Sequence, residues 1–195
     1  MSQEISAPSR DGPPDTIVVI RHGEKPTAPD AEPFGVDVDG RRYDGSLTPK
    51  GWQRAGALAV LFRSGVGPLP TPDHLHAPKY RSHRATLNHR TYQTLLPLSL
   101  QLDRPIRCHF GEDEEQLLAD AIIGRDAGTT LVCWDHHRIP KVASYLPVAN
   151  PEMLPAVWPD DRYDMIWLFT RDRGSPLAYT FAQLPQLLLF GDTHI

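Results

Sequence analysis

Residues 16–20, Thr16-Ile17-Val18-Val19-Ile20, form an unbroken β-branched run that stops at Arg21-His22-Gly23. A strand with one wet face alternates apolar and polar residues. A run without that alternation fits a strand covered on both faces, as in a parallel sheet. Parallel neighbours need crossover connections, usually helices. This one segment therefore predicts an α/β chain, and a second run of the same kind, Thr129 to Trp134, ends at Asp135-His136-His137. Shorter strands are expected near His74–Ala77 and Ile106–His109, with late strands over Tyr163–Thr170 and Leu177–Leu184 turning across Asp172-Arg173-Gly174.

Helical signals fall between these strands. Thr48 as N-cap and Pro49 in the first turn open a helix that Gly65 closes, with Ala55, Leu58, Ala59 and Phe62 on one face. A second helix is expected from about His89 to Leu102, kinked or broken at Pro97. A third is expected from Glu112 to Ile123, and a fourth from Ile139-Pro140 to about Leu146. The alternation predicts a three-layer α/β/α sandwich around a mostly parallel central sheet. The whole of residues 16–195 reads as one domain, preceded by a polar, Pro-rich lead over 1–15 that is expected to be disordered. Residues 26–46 form a long polar loop, a feature that is usually functional or mobile inside a compact domain.

Composition narrows the function classes. Apolar residues make up 40% and charged residues 23% of 195, enough for a real core. Twenty prolines, about twice the ~5% average usage, argue against a helical bundle. A net charge of −4 offers no basic stripe for nucleic acid. Cys108 and Cys133 lie in apolar runs and make neither a disulfide framework nor a CxxC zinc site; both read as small buried hydrophobes. No apolar run reaches the ~20 residues of a membrane span, and the first 15 residues hold no secretory h-region. A cytoplasmic protein without membrane attachment is the expectation.

In open parallel sheets, ligands bind beyond the carboxyl ends of the strands. Both buried-type strands end there in histidine-bearing turns, so His22 and His136 should meet with Arg21 at one edge of the sheet. Arginine suits phosphate oxygens, and histidine can serve as nucleophile or acid–base group. Gly23 would allow close backbone approach to a ligand. Among nine histidines, His74, His76, His83, His89 and His109 read as surface or loop residues. His74-x-His76 could face one side of a strand as metal ligands, but no third ligand is evident from sequence. Trp134, Trp158 and Trp167 read as core, and Trp52 as part of the mouth of the site.

Several segments, in order, resemble the histidine phosphatase superfamily, the phosphoglycerate mutase-like family. Arg21-His22-Gly23-Glu24 is similar to its RHG signature. Leu47-Thr48-Pro49-Lys50-Gly51 with Gln53-Arg54-Ala55 resembles its LTxxG-QA segment. Arg90-Thr91-Tyr92-Gln93-Thr94 resembles its R-x-x-Q/E-T segment, and Leu131 to His136 the strand that delivers its second histidine. The resemblance spans about Thr16 to Pro140. It implies that His22 attacks phosphorus to give a phosphohistidine while Arg21, Arg90 and His136 hold the phosphoryl oxygens, with no metal or other cofactor. Glu112 is the first choice for the proton donor on the leaving oxygen, ahead of Asp113 and Asp135. His137 stands where the family often has glycine. Arg81 and Arg84 read as solvated charges or a basic rim.

The function implied is hydrolysis of a phosphomonoester on a small phosphorylated substrate or a phosphoprotein. The short chain favours a phosphatase over a phosphomutase, which needs insertions that exclude water; only loop 26–46, helped by 147–162, offers a partial lid. A non-catalytic phosphate- or phosphopeptide-binding module on the same fold is the alternative from another class. Substrate identity and oligomeric state stay open at this level.

Overall fold

The structure is a computed structural model, and it describes residues 11–79, 89–172 and 177–194. Among these residues, six strands and four α-helices follow in order: β1 (Thr16–Arg21), α1 (Pro49–Ser64), β2 (His74–His76), α2 (His89–Leu102), β3 (Ile106–Arg107), α3 (Glu115–Arg125), β4 (Thr129–Trp134), α4 (Ile139–Ser144), β5 (Met165–Arg171) and β6 (Tyr179–Pro185). The strands form one sheet in the order β3-β2-β4-β1-β5-β6. β1, β2, β3 and β4 are mutually parallel, and β5 runs antiparallel to both its neighbours. The mostly parallel α/β/α sandwich expected from the sequence is the observed architecture.

β1 sits at the centre because all six of its residues can be buried. Its side chains divide by parity. Val18 and Ile20 pack with Leu58 and Phe62 of α1 and Leu95 and Leu98 of α2. Ile17 and Val19 pack with Leu118 and Ile122 of α3 and Val142 of α4 on the other face. β4 lies beside β1 with Arg21 opposite Trp134, so the two histidine turns leave the sheet side by side.

The boundaries differ from expectation where local chemistry competes with periodicity. α1 is as expected: the Thr48 side chain accepts from the Gly51 N–H, and Gly65 closes the helix in the left-handed region at φ 58°. α2 runs through Pro97 unbroken from His89 to Leu102; one lost backbone bond is outweighed by burial of Leu95 and Leu98 on either side. α3 starts at Glu115, not Glu112. The Gly111 N–H instead donates to Glu114 Oε2 at 2.7 Å, and residues 112 and 113 form a turn. β3 is only Ile106–Arg107, and β5 starts at Met165. The turn expected across 172–174 lies partly outside the described residues.

The end of the expected lead is anchored. The Tyr179 hydroxyl donates to Pro14 O at 2.8 Å, and the Arg171 N–H to Asp15 O at 2.9 Å. The rest of the lead, residues 1–10, lies outside the described residues, as do Arg81, His83 and Arg84. Cys133 is buried and Cys108 half-buried, and neither is in a disulfide. Trp134, Trp158 and Trp167 are core, as expected. Among the described residues no helix is long and apolar enough to cross a membrane.

Candidate functional site

The site lies at the carboxyl ends of β1 and β4. His22 is buried, and its Nδ1–H donates to the carbonyl of Gly23 at 2.7 Å, which leaves Nε2 with its lone pair. Burial is the main cause that holds this imidazole well below the usual pKa range. The Gly23 bond opposes it, and the charges of Arg21, Arg90 and Lys25 reinforce it. A neutral ring with a fixed tautomer is the form a nucleophile needs.

Three segments converge to hold this turn. The Gly23 N–H donates to Thr94 Oγ1 at 2.9 Å, and that hydroxyl donates to the carbonyl of Arg90. Gln93 reaches Leu47 N–H and Ser46 Oγ, and an Arg90 Nη2–H donates to Asp44 O at 2.8 Å. The Arg90–Thr94 segment thus clamps the end of the long loop on one side and the histidine turn on the other. Thr48 receives the same turn from α1, through its N–H and hydroxyl donated to Glu24 O. Glu24 pairs with Arg54, which also binds Asp192 and Gln186 near the C-terminus. Gly23 permits a close approach of backbone to backbone. A Cβ there would meet Gly51 O at 2.8 Å.

Arg21 is buried, with Nη1 donating to the carbonyls of Asp160 (2.6 Å) and Arg162 (3.1 Å) and its guanidinium 3.9 Å from the centre of the Tyr163 ring. His136 is buried too, and its Nε2–H donates to Asp160 Oδ1 at 3.1 Å. The His22 and His136 rings meet edge to face at 6.2 Å. Three nitrogens of this ring of residues are buried without a hydrogen-bond partner: Arg21 Nε, Arg90 Nε and His136 Nδ1. Buried donors are normally satisfied; the two orphaned arginine N–H groups fit the oxygens of an anion, and His136 Nδ1 does so once protonated.

The structure brings Arg21, His22, Arg90 and His136 together. Glu112 is half-buried in the turn before α3, and burial followed by the charge of Asp135 raises its pKa. Asp113 does not share this place; it is exposed and pairs with Arg138. Asp135 accepts the His137 N–H at 2.9 Å, with its other oxygen 3.6 Å from His136 Nδ1. Lys25, Tyr163 and Asp160 were not foreseen as site residues. Lys25 is depressed in pKa chiefly by burial, with Arg90 and Arg21 adding. A cleft of about 220 Å³ opens beside it, lined by Pro26, Thr27, Ala28, Pro29, Asp44 and Arg90. Trp52 donates its indole N–H to Val36 O, tying α1 to the long loop. The position of Lys25 after the signature could have flagged it; Tyr163 and Asp160 arrive from a loop with no local signal.

Two histidines read as surface residues are buried. His76 is held against Asp126 at 2.6 Å, and His89 packs against Tyr43. Asp126 also binds Arg107, so the acid beside His74 and His76 is already committed. His109 is exposed, as expected.

The architecture is one seen before: the chain has the fold of the histidine phosphatase superfamily. The structure of a mycobacterial glucosyl-3-phosphoglycerate phosphatase is similar over 86% of this chain and 97% of that one, with a TM-score of 0.51 and 14% identity. A candidate alpha-ribazole-5'-P phosphatase from Escherichia coli is similar over 88% of this chain and 96% of that one, with a TM-score of 0.49 and 13% identity. At such identity the likeness is one of fold. No protein-family profile and no curated protein sequence matches the chain.

Proposed function

We propose that the protein is a phosphatase that hydrolyses a phosphomonoester through a phosphohistidine on His22. The observation that carries this reading is the set of buried, unpartnered nitrogens on Arg21, Arg90 and His136 around a buried histidine whose tautomer is fixed.

His22 Nε2 attacks phosphorus, and the bond from phosphorus to the substrate oxygen breaks. Glu112, whose raised pKa favours the acid form, gives its proton to that oxygen. The Glu112 carboxylate then takes a proton from water as the water attacks phosphorus and the P–N bond breaks, returning His22 and free phosphate. Arg21, Arg90 and Lys25 offset charge on the equatorial oxygens, where phosphoryl transfer concentrates it. His136 takes up a proton as the anion arrives and donates it through Nδ1. The fold and its phosphatase neighbour support this class of reaction.

The test is rapid-quench labelling with a phosphorus-32 phosphomonoester. An acid-labile, base-stable label that appears on the wild type and is absent from His22→Ala supports the mechanism. Vanadate binding with neither label nor turnover means a phosphate-binding module instead. Transfer of label to an added alcohol substrate in place of water means a mutase.

A further inference from the structure

We propose that His136, His137 and Asp160 form a site for a zinc-class divalent cation at the mouth of the pocket, and that a cation bound there inhibits the hydrolysis proposed above. Ligand atoms of these three residues all lie within 4.8 Å of one another. The observed separations are 3.1 Å from His136 Nε2 to Asp160 Oδ1 and 3.9 Å from His137 Nδ1 to the same oxygen. Tetrahedral zinc with bonds of about 2.0–2.1 Å spaces its ligands by roughly 3.4 Å, between the two values seen.

The turn is built to present both rings on one side. Asp135 Oδ1 accepts the His137 N–H, and the two rings lie 3.9 Å apart at 37°. His136 is buried and therefore fixed, while His137 and Asp160 are exposed at 66% and 81%, so a cation can enter from solvent and small side-chain rotations can close the geometry. The proton inventory closes as well. In the free protein His136 carries its proton on Nε2, facing Asp160. For the metal to take Nε2, the proton moves to Nδ1, which lies 3.6 Å from Asp135 Oδ2. That gives the carboxylate–histidine–metal arrangement common around zinc. With the metal on Nε2 the ring cannot take up the second proton that its proposed role needs, so cation binding competes with that role. The cation is thus an inhibitor, not a cofactor. Among the described residues one other group has comparable spacing: His22, Asp135 and His136. It lies inside the phosphate pocket and does not use His137.

This inference rests on the phosphatase reading for its inhibitory part and on geometry alone for the site. The experiment uses untagged protein in phosphate-free buffer. Zn²⁺ is titrated by calorimetry, Co²⁺ by its visible absorption, and p-nitrophenyl phosphate hydrolysis is followed with and without Zn²⁺. Expected are one strong site, a tetrahedral Co²⁺ spectrum, and inhibition that a chelator reverses. His137→Ala should keep basal hydrolysis while losing at least tenfold in Zn²⁺ affinity and sensitivity, and Asp160→Asn should lose affinity to a similar degree. Absence of strong binding overturns the proposal. So does binding that His137→Ala leaves unchanged, or zinc-bound protein that hydrolyses at full rate. If the wild type hydrolyses nothing, the phosphatase reading fails, and the inhibitory part with it, while the calorimetry and Co²⁺ spectrum still decide the site.

Discussion

Substituting Gly23 by alanine probes whether the histidine turn is positioned by the first turn of α1. A Cβ at Gly23 would lie 2.8 Å from Gly51 O and 3.1 Å from Gly51 Cα, where ordinary contact begins near 3.4 Å. The two backbones must therefore part by roughly 0.6 Å. Both are pinned: Gly23 N–H is bonded to Thr94, and Thr48, three residues before Gly51, is bonded to Glu24. The backbone angle at Gly23 is not left-handed, so the cost is steric. Overpacking of this kind costs about 1–3 kcal/mol. In a chain of this length that lowers the melting temperature by roughly 3–10 °C. The displaced atoms include the carbonyl that fixes His22 Nδ1, so a shift of that size should cut kcat at least about tenfold.

Gly56→Ala, in the middle of the same helix, is the control. A Cβ there meets nothing within 4 Å, and alanine in a helix interior gains about 0.5–1 kcal/mol over glycine. Thermal denaturation by circular dichroism and steady-state hydrolysis read both variants. The reasoning is refuted if Gly23→Ala melts within about a degree of wild type with unchanged kcat, or if Gly56→Ala is destabilised as much as Gly23→Ala.

Other outcomes follow from the charges. Because burial and three cations hold His22 low, hydrolysis should stay active well into mild acid. Removing one cation in Lys25→Gln should raise the His22 pKa and move the acid limb of kcat/KM to higher pH; an acid limb that stays put or moves down removes Lys25 from the site. Glu112→Gln should slow substrates with poor leaving groups by about 10²–10⁴-fold and p-nitrophenyl phosphate much less. If Asp135→Asn shows that pattern and Glu112→Gln does not, the donor is Asp135. The Asp192 carboxylate is shielded from solvent, which alone would raise its pKa, but bonds from Arg54 and two backbone N–H groups bring it from 3.8 to about 2. A depressed carboxylate adds stability above its unfolded pKa and loses it as pH falls through the folded value. Asp192→Asn should thus cost about 2 kcal/mol near neutrality and flatten the fall in urea stability from about pH 5 down to pH 2; an unchanged acid slope means that Arg54 is held by Glu24 and Gln186 alone.

What could be read in the sequence, and what could not, follows the range of the forces. The burial of β1 and β4 is written in consecutive β-branched residues, and the start of α1 in Thr48-Pro49, because each depends on neighbours in the chain. The acid run 112–115 misled because carboxylates favour a helix N-terminus in general, whereas here Glu114 folds back onto Gly111 and leaves Glu112 outside the helix, half-buried near Asp135. His76 and His89 misled for the converse reason: nothing beside them in sequence announces Asp126 or Tyr43. Arg21, Arg90 and His136 could each be named from a local segment. The contacts that orient them come from carbonyls at 159–162, the Asp44 carbonyl and the Asp160 carboxylate, which only the folded chain brings near. This division has a consequence for specificity. On the proposed reading, the groups with a local signature are those that would handle a phosphoryl group, which is the same in every phosphomonoester. The groups without one, the 26–29 wall of the cleft beside Lys25 and the 159–163 segment, would line the space left for the rest of the substrate. Selectivity should therefore move when those loops are changed, while the label on His22 should not.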